Sequence, residues 1–377
     1  MQNKNLVEFP CESEIKKVLG GRWSPVKNEF TYYVNPIDNE INDCVKCSRY
    51  NAKVPDYRMG DLPETRLIKT RPFLNVGLDY CGPFLLKEKK FRNKIKIKAY
   101  VAVFVCFSTK AVHLELVTDL TTEACIEAIK RFAARRGNPN NVYSDNATNF
   151  VGAKNEILKL QAFFMSDEYS GGLKQYFSKQ QINWHFSPPR APHFGGLWEA
   201  AVKSFKSHLY RTVANALFTY EQFNTCIIEI EAILNSRPLV PISSDPNDLV
   251  ALTPAHFLIG DSLMSFPEPD YRDVYQNKLS TWQRIQQVKQ HFWSRWYKEY
   301  LNELRIRSKW HKGTSEEIKI GTIVLIKEEN LPPRQWSLGR IIELHPGDDN
   351  IVRVVTVRTQ DGVYKRCIKK LSPLPNL

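Results

Sequence analysis

The amino-acid sequence predicts a mixed α/β domain, with a sheet flanked by helices, followed by a small β-barrel near the end of the chain. The first observation is the order of patterns between residues 75 and 236: three adjacent strands, a helix, a strand and then more helices. This order differs from the strict alternation of a doubly wound parallel sheet. The second observation is a series of short strand patterns after residue 320, which is typical of a small barrel.

Three strand patterns follow one another closely. Residues 75–84, NVGLDYCGPF, indicate a short strand that ends in a Gly-Pro turn. The next segment alternates at Ile95 and Ile97 and is then continuously apolar up to residue 107, which is typical of a buried central strand. Residues 111–117, AVHLELV, indicate a third strand after a short turn.

Helices are predicted where apolar side chains recur at three- and four-residue steps. In residues 121–137, Thr121 or Thr122 can cap the start, and two arginines precede the glycine at the end. Helices are also predicted at 151–164, 195–213 and 219–236. An amphipathic helix is predicted from Leu279 to Trp310. Strands are predicted at 140–145 and 182–188.

Charge is the clearest compositional signal. The 377 residues are enough for two or three domains, and the net charge is +13. Residues 281–377 carry 18 Lys or Arg against 10 Asp or Glu, so most of the excess lies there. This concentration favours a polyanionic partner such as nucleic acid. We expect no membrane span and no secretory signal, because no long apolar run and no apolar leader segment are present.

Three acids are candidates for chemistry by their positions. Asp79 and Asp145 end strand patterns, and Glu199 lies early on a helix after the loop 188–196. Three carboxylates at such positions can hold two divalent cations about 3.5–4 Å apart, and Mg²⁺ suits carboxylate, water and phosphate ligands. The alternative is that they are cap, turn or solvated residues, and spacing alone does not select them among the 40 acids.

Two lysines share a helix face with Glu199. Lys203 and Lys206 follow it by four and seven residues, so the three side chains lie on one side of the helix. They could connect a metal site to a phosphate backbone. A surface salt bridge is an equally weighted alternative.

At these residues the chain resembles the integrase core of Bel/Pao-type LTR retrotransposons. The matching stretches are VGLDYCGPF (76–84), KAYVAVFVCFSTKAVHLELV (98–117), SDNATNFVGA (144–153), SPPRAPHFGGLWEAAVKS (187–204), ILNSRPL (233–239) and LTPAHFLIG (252–260). The resemblance implies an RNase H-like fold over residues 71–262. It also implies that Asp79, Asp145 and Glu199 are catalytic and hold two Mg²⁺ (or Mn²⁺) ions. The implied chemistry is 3′-end processing of DNA followed by strand transfer.

Two features depart from the resemblance. A stretch of 53 residues separates Asp145 from Glu199, which is longer than in retroviral relatives and predicts an extra loop around 165–179. Ala147 stands where the family has glycine. If the backbone there requires a positive φ, alanine would cost about 1 kcal/mol.

The end of the chain, residues 279–374, resembles the C-terminal region of the same integrases. We therefore expect a helical connector at 263–312 and an SH3-like DNA-binding domain at 313–377. The residues expected to contact DNA are Arg190, Lys203, Lys206, Arg334, Arg340, Lys365, Arg366, Lys369 and Lys370. Trp336 is a further candidate. The alternative is that Trp336 lies in the core and that the lysines only face solvent.

The first 70 residues are interpreted as a junction, at which a fragment of a reverse transcriptase is joined to the start of the integrase-like region. Residues 14–34 resemble a reverse-transcriptase fragment, so 1–40 is a possible remnant and 41–70 a truncated zinc-binding segment with a linker. Cys44 and Cys47 form half of a zinc site, but no histidine precedes Cys44. Cys11 and Asp43 would complete an unsuitable ligand set, so we predict no bound zinc.

The leading functional hypothesis is a DNA integrase that acts on double-stranded DNA as a homo-oligomer. Nuclear action is expected from the substrate, although no clear localisation signal is present. Two alternatives stay open. One is a catalytically inactive or co-opted DNA-binding protein derived from such an element, and the other is an RNase H-like nuclease without strand transfer.

Overall fold

A computed structural model describes residues 64–88, 95–164, 182–187, 196–213, 217–243, 245, 248–305 and 318–375, together with three short strands between residues 16 and 32. For those three strands and for residues 160–164 and 196–201, it describes the backbone alone. The chain divides into two compact units, Met1–Asp61 and Leu62–Leu377.

The described part of the first unit is a small antiparallel sheet. Its strands are β1 (Lys16–Val18), β2 (Gly21–Ser24) and β3 (Glu29–Tyr32), paired in that order. Cys11, Asp43, Cys44 and Cys47 lie outside the described residues, so the expectation of no zinc stays a prediction.

The second unit begins with a mixed sheet and its first helices. The elements are α1 (Glu64–Leu67), β4 (Asn75–Lys87), β5 (Lys96–Cys106), β6 (Val112–Val117), α2 (Thr122–Arg136), β7 (Asn141–Ser144), α3 (Thr148–Phe164) and β8 (Asn183–Phe186). Within the described residues the strand order is β6-β5-β4-β7-β8. The β4–β5 and β5–β6 pairs are antiparallel, and the β4–β7 and β7–β8 pairs are parallel. The predicted fold class, a mixed sheet flanked by helices, is confirmed.

Local sequence signals explain where α2 begins and ends. The Thr121 hydroxyl accepts a hydrogen bond from the Ala124 N–H and caps the first turn. Gly137 ends the helix with φ 83°, a conformation that costs glycine little. Both positions agree with the helix predicted over 121–137.

Three longer helices and several short elements follow. They are α4 (Gly196–Val213), α5 (Tyr220–Asn235), β9 (Val240–Pro241), β10 (Ala251–Leu252), α6 (His256–Ile259) and α7 (Thr281–Glu303). Ser280 and Gln283 form a reciprocal cap at the start of α7. This helix was predicted from Leu279 to Trp310. It ends at Glu303, and residues 306–310 lie outside the described part.

Two apolar cores lie on opposite faces of the sheet, because successive side chains of a strand point to opposite sides. In β5, Val101, Val103 and Val105 belong to the core that contains residues of α4, α5 and α7. Ala102 and Phe104 belong to the core that contains residues of α2 and α3. None of the helices in the described part of the chain is long and apolar enough to span a membrane.

The predicted carboxyl-terminal β-domain is a five-stranded antiparallel sheet in the described residues. Its strands are β11 (Ile323–Ile326), β12 (Leu338–Pro346), β13 (Val352–Thr359), β14 (Gly362–Cys367) and β15 (Leu371–Pro373), in the order β14-β13-β12-β11-β15. Its SH3-like character stays a prediction. Ile323 and Leu325 share one core with Phe292 of α7, so the segment predicted as a helical connector contributes directly to the packing.

Trp336 joins this sheet region to α7. Its ring lies 4.9–6.0 Å from the rings of Trp293, Trp296, Tyr297 and Tyr300, measured between centroids. Its Nε1–H donates to the Ser236 hydroxyl at 3.3 Å. Trp336 therefore packs against the core, as the alternative interpretation held.

Candidate active site

The site is built around two carboxylates on adjacent parallel strands. Gly77 of β4 lies opposite Tyr143 of β7. Asp79 lies two residues beyond Gly77, and Asp145 lies two residues beyond Tyr143, directly after β7. The register therefore brings both aspartates to the same level of the sheet, where β7 ends and β4 continues toward Lys87.

Short hydrogen bonds orient both aspartates. Asp79 Oδ1 accepts the Tyr80 N–H at 2.7 Å, and Asp145 Oδ1 accepts the Ala147 N–H at 3.1 Å. The neighbouring Asn146 donates from Nδ2 to the Ser187 carbonyl at 2.8 Å. Asn146 was not predicted from the sequence, and it attaches the Asp145 loop to the end of β8. The exposed Asp145 carboxylate thus stands on an anchored backbone.

Ala147 fits its backbone without the expected strain. It is not among the described residues with a positive φ. Its carbonyl accepts the N–H groups of Phe150 and Val151, so it begins helix α3. The cost anticipated for alanine in place of glycine was conditional on a positive φ, and that condition is not met.

Glu199 lies in the first turn of α4, and its side chain is outside the described part. The helix packs on the face of β4 to which Asp79 points, because Cys81, two residues after Asp79, shares a core with Val202 and Phe205. The Tyr210 ring stacks on the Phe84 ring at 4.8 Å between centroids.

Electrostatics at Cys81 also place α4 beside β4. Burial raises the pKa of the Cys81 thiol to about 12, Lys206 acts to lower it, and Asp79 acts to raise it. Partial burial raises the pKa of the Tyr210 hydroxyl, Cys81 acts to raise it further, and the Tyr210 ring stacks on Phe84. Residues of α4 therefore lie along the segment of β4 that follows Asp79.

The donor set suits a hard divalent cation. Carboxylate oxygens are the protein ligands that Mg²⁺ and Mn²⁺ prefer, and Mg²⁺ needs only one or two carboxylates beside water and phosphate. Among the side chains that the structure describes, which exclude Glu199, no three His, Cys, Asp or Glu groups come together as a cation site. The described residues thus contribute a pair, Asp79 and Asp145, whose chemistry fits the metal.

The predicted DNA contacts fall into different environments. Lys203 and Lys206 are exposed on α4, and Lys365, Lys369 and Lys370 are exposed near the end of the C-terminal sheet. The Arg366 guanidinium lies over the Tyr364 ring at 5.0 Å. The loop that contains Arg190 is outside the described residues.

Arg340 and Arg334 are less exposed than these lysines. Arg340 is 9% exposed, and its guanidinium donates to the carbonyls of Gly321, Asp245 and Asp248. Burial lowers the pKa of the Arg334 guanidinium, while carboxylates of α5 and the 261–270 loop act to raise it. Arg340 therefore supports the fold from within.

The fold and the paired aspartates define a class: a mixed-sheet α/β domain with two acidic residues at one level of neighbouring parallel strands. A family model described as a family of unknown function (DUF5641) matches residues 280–374, the segment from α7 to the C-terminal sheet. No curated protein matches the chain.

Similar solved structures are retroviral integrases. The simian T-cell lymphotropic virus intasome in complex with PP2A regulatory subunit B56 gamma has a TM-score of 0.32 and 13% identity, covering 89% of this chain and 89% of that chain. The HTLV-2 integrase catalytic core domain in complex with magnesium has, in its dimeric form, a TM-score of 0.27 and 17% identity. The match covers 44% of this chain and 88% of that chain. Its trimeric form has a TM-score of 0.29 and 16% identity, and the match covers 50% of this chain and 97% of that chain. These identities and TM-scores are low, so the function proposed below depends on the residues of the chain itself.

Proposed function

We propose that the chain is a metal-dependent DNA strand-transferase of the integrase type. The observation that carries the proposal is the position of Asp79 and Asp145 at one level of two adjacent parallel strands. Helix α4, which bears Glu199, packs on the same face of β4. The quoted sequence stretches, which resemble Bel/Pao-type integrase cores, support the same assignment.

In this proposal the three acids Asp79, Asp145 and Glu199 hold two Mg²⁺ or Mn²⁺ ions. The metal, when bound, supplies activation of the attacking oxygen and stabilisation of the leaving oxygen on phosphorus. The chain positions the carboxylates: the Tyr80 N–H orients Asp79, and the Ala147 N–H orients Asp145. Asn146 keeps the second aspartate at its place by its bond to the end of β8.

Exposed lysines supply the phosphate contacts. Lys203 and Lys206 are exposed on α4, and Lys365, Lys369 and Lys370 are exposed on the C-terminal part of the chain, which carries most of the positive charge. Such contacts release counterions, so binding weakens as salt rises, with a slope of about −0.9 per neutralised phosphate on duplex DNA. We propose double-stranded DNA as the partner.

Further parts of the proposal concern origin and context. The sequence resemblance favours a Bel/Pao-type LTR retrotransposon as the source, with residues 14–34 derived from its reverse transcriptase. A homo-oligomer acting in the nucleus is the expected working form.

The test uses the full chain, Mn²⁺, and a pool of labelled duplexes with randomised ends, mixed with a target plasmid. Sequencing the joined products removes the need to know the cognate end. The proposal expects strands shortened at their 3′ ends and joined to the plasmid. In the Asp145→Asn variant, the yield of shortened and joined strands is expected to fall by about 100-fold or more. The matched control is Asp348→Asn, since Asp348 is an exposed aspartate in the turn between β12 and β13; this variant keeps the activity of the parent chain.

The other outcomes of this assay distinguish the alternative functions. Cleavage without joining supports the nuclease alternative. DNA binding without cleavage, at every metal concentration tried, overturns the enzymatic proposal and leaves a DNA-binding protein. Equal loss in Asp145→Asn and Asp348→Asn removes the assignment of Asp145.

A further inference from the structure

A cavity of about 660 Å³ lies on the face of the mixed sheet that is away from α2 and α3. Its walls include Val103 and Val105 of β5, Phe205 of α4, Leu234 of α5, and Trp296 and Tyr300 of α7. The volume lies in the range of sites for small molecules, and an aromatic and aliphatic lining is typical of such sites.

Two cationic side chains, Lys110 and Arg237, line one part of the cavity. The Arg237 guanidinium donates from Nη1 to the Leu234 carbonyl and from Nη2 to the Lys110 carbonyl. These bonds hold it beside the turn between β5 and β6, where Lys110 has a left-handed φ of 56°. Among the residues that the structure describes, no carboxylate lies within ion-pair distance of either cation. An arginine has five N–H donors, so Arg237 keeps donors for a ligand.

The two cations act on each other. Partial burial lowers the pKa of the Lys110 ammonium, and the neighbouring Arg237 lowers it further. Of the described residues that line the cavity, Glu303 alone is acidic. Burial raises the pKa of the Glu303 carboxyl, and Glu299 adds to this effect. Lys110 and Arg237 act to lower this pKa, so Glu303 offsets part of their charge. The cavity is therefore lined by two cations, of which Lys110 is exposed, against one acid, and an anion would balance the remaining positive charge.

We propose that this cavity binds a small amphipathic carboxylate, with its anionic group between Lys110 and Arg237 and its apolar body against Phe205, Trp296 and Tyr300. The two adjacent cations disfavour a metal ion, and the apolar walls disfavour a multiply charged ligand. The site is separate from Asp79 and Asp145 and does not depend on the proposed strand transfer.

Binding would also influence the fold as a whole. The walls come from the sheet, from α4 and α5, and from α7, and Pro375 at the end of the C-terminal sheet contributes as well. A ligand that contacts all of these elements binds the folded chain and not the unfolded one. It therefore raises the melting temperature, and the rise grows with the logarithm of the ligand concentration above the Kd.

The test compares two probes of nearly equal shape, 1-naphthaleneacetate and the neutral 1-naphthaleneacetamide. Calorimetric titration of the full chain is expected to give at least tenfold tighter binding of the acid. Lys110→Met weakens the acid by about tenfold or more, because charged hydrogen bonds contribute strongly in such enclosures. Glu303→Gln strengthens it. Lys159→Met is the control, since Lys159 is an exposed lysine of α3.

Further variants keep the test decisive. Arg237 also supports two carbonyls, so Arg237→Met could unfold the chain, and Val240→Trp, which fills the cavity from its wall, is used in its place. The expected result is loss of acid binding with the melting temperature of the free chain within a few degrees of the parent. Equal affinity for acid and amide overturns the proposal, and so do unchanged affinities in Lys110→Met and Val240→Trp. Neither readout involves DNA chemistry, so failure here leaves the strand-transfer assay unaffected.

Discussion

Asp79 and Asp145 each lie two residues beyond a directly paired couple, Gly77 and Tyr143, on neighbouring parallel strands. A divalent cation held by both carboxylates would bind the folded chain and not the unfolded one. The arrangement gives a prediction that does not require catalysis.

We expect 10 mM Mn²⁺ to raise the melting temperature of the parent chain but not that of Asp79→Asn/Asp145→Asn. Ligand binding to the folded state alone produces such a shift. Differential scanning calorimetry with and without Mn²⁺ measures it, and Asp348→Asn serves as the control with the parent response. A shift of parental size in the double variant would place the metal elsewhere.

His113 of β6 is fully buried between Glu115 of the same strand and Glu231 of α5. Its Nε2 lies 2.9 Å from Glu115 Oε1, and its Nδ1 lies 3.4 Å from Glu231 Oε2. Arg136 binds the other oxygen of Glu231 at 2.6 Å. Burial lowers the pKa of the His113 imidazole, against the opposing effect of Glu231. The folded chain therefore favours the neutral ring.

This environment predicts a loss of stability in acid. The unfolded chain takes up a proton near the ordinary histidine pKa of about 6.5, whereas folded His113 resists it. The contribution is complete above that pH and is lost as the pH falls below it, at up to about 1.4 kcal/mol per pH unit. Urea unfolding between pH 7.5 and 5.5 measures the slope. His113→Gln should flatten it, whereas His345→Gln, on β12, should not.

Lys289 is a buried cation of α7 with two partners. Its Nζ lies 3.2 Å from Glu229 Oε1 and 2.7 Å from Glu268 Oε2, and its side chain is 4% exposed. Lys289→Met leaves both carboxylates without this cation in a buried site, and we expect a loss of about 3–5 kcal/mol in the free energy of unfolding.

The control for Lys289 is the exposed pair of Lys159 and Glu156 on α3. Surface ion pairs contribute little, so Lys159→Met should change stability by less than about 1 kcal/mol. Urea unfolding of both variants is compared at neutral pH. Equal effects in the two variants would mean that burial does not decide the strength of the Lys289 contacts.

Trp336 and Trp282 provide a second matched pair. Trp336 contacts four aromatic rings of α7, whereas Trp282 on the same helix is 57% exposed. Trp336→Ala should cost about 3–5 kcal/mol and Trp282→Ala less than about 0.5 kcal/mol. Chemical unfolding followed by circular dichroism tests both. A small loss in Trp336→Ala would contradict its assignment to the core.

Much of the secondary structure follows from local patterns. The predicted strands at 75–84 and 111–117 and the helix at 121–137 agree with β4, β6 and α2 within a few residues, because periodicity and caps act locally. The amphipathic helix predicted from Leu279 corresponds to α7, which ends at Glu303, and the predicted end at Trp310 lies outside the described residues.

The sequence by itself determined the order of elements, the excess of positive charge near the carboxyl end, and the three acids singled out through family resemblance. Only the tertiary structure decided that Asp79 and Asp145 share one level of the sheet, that Arg340 is buried, and that Lys110 and Arg237 meet at one cavity. The reason is physical: helix and strand preferences depend on neighbours in the chain. Strand register, burial and cavities depend instead on how distant segments pack together.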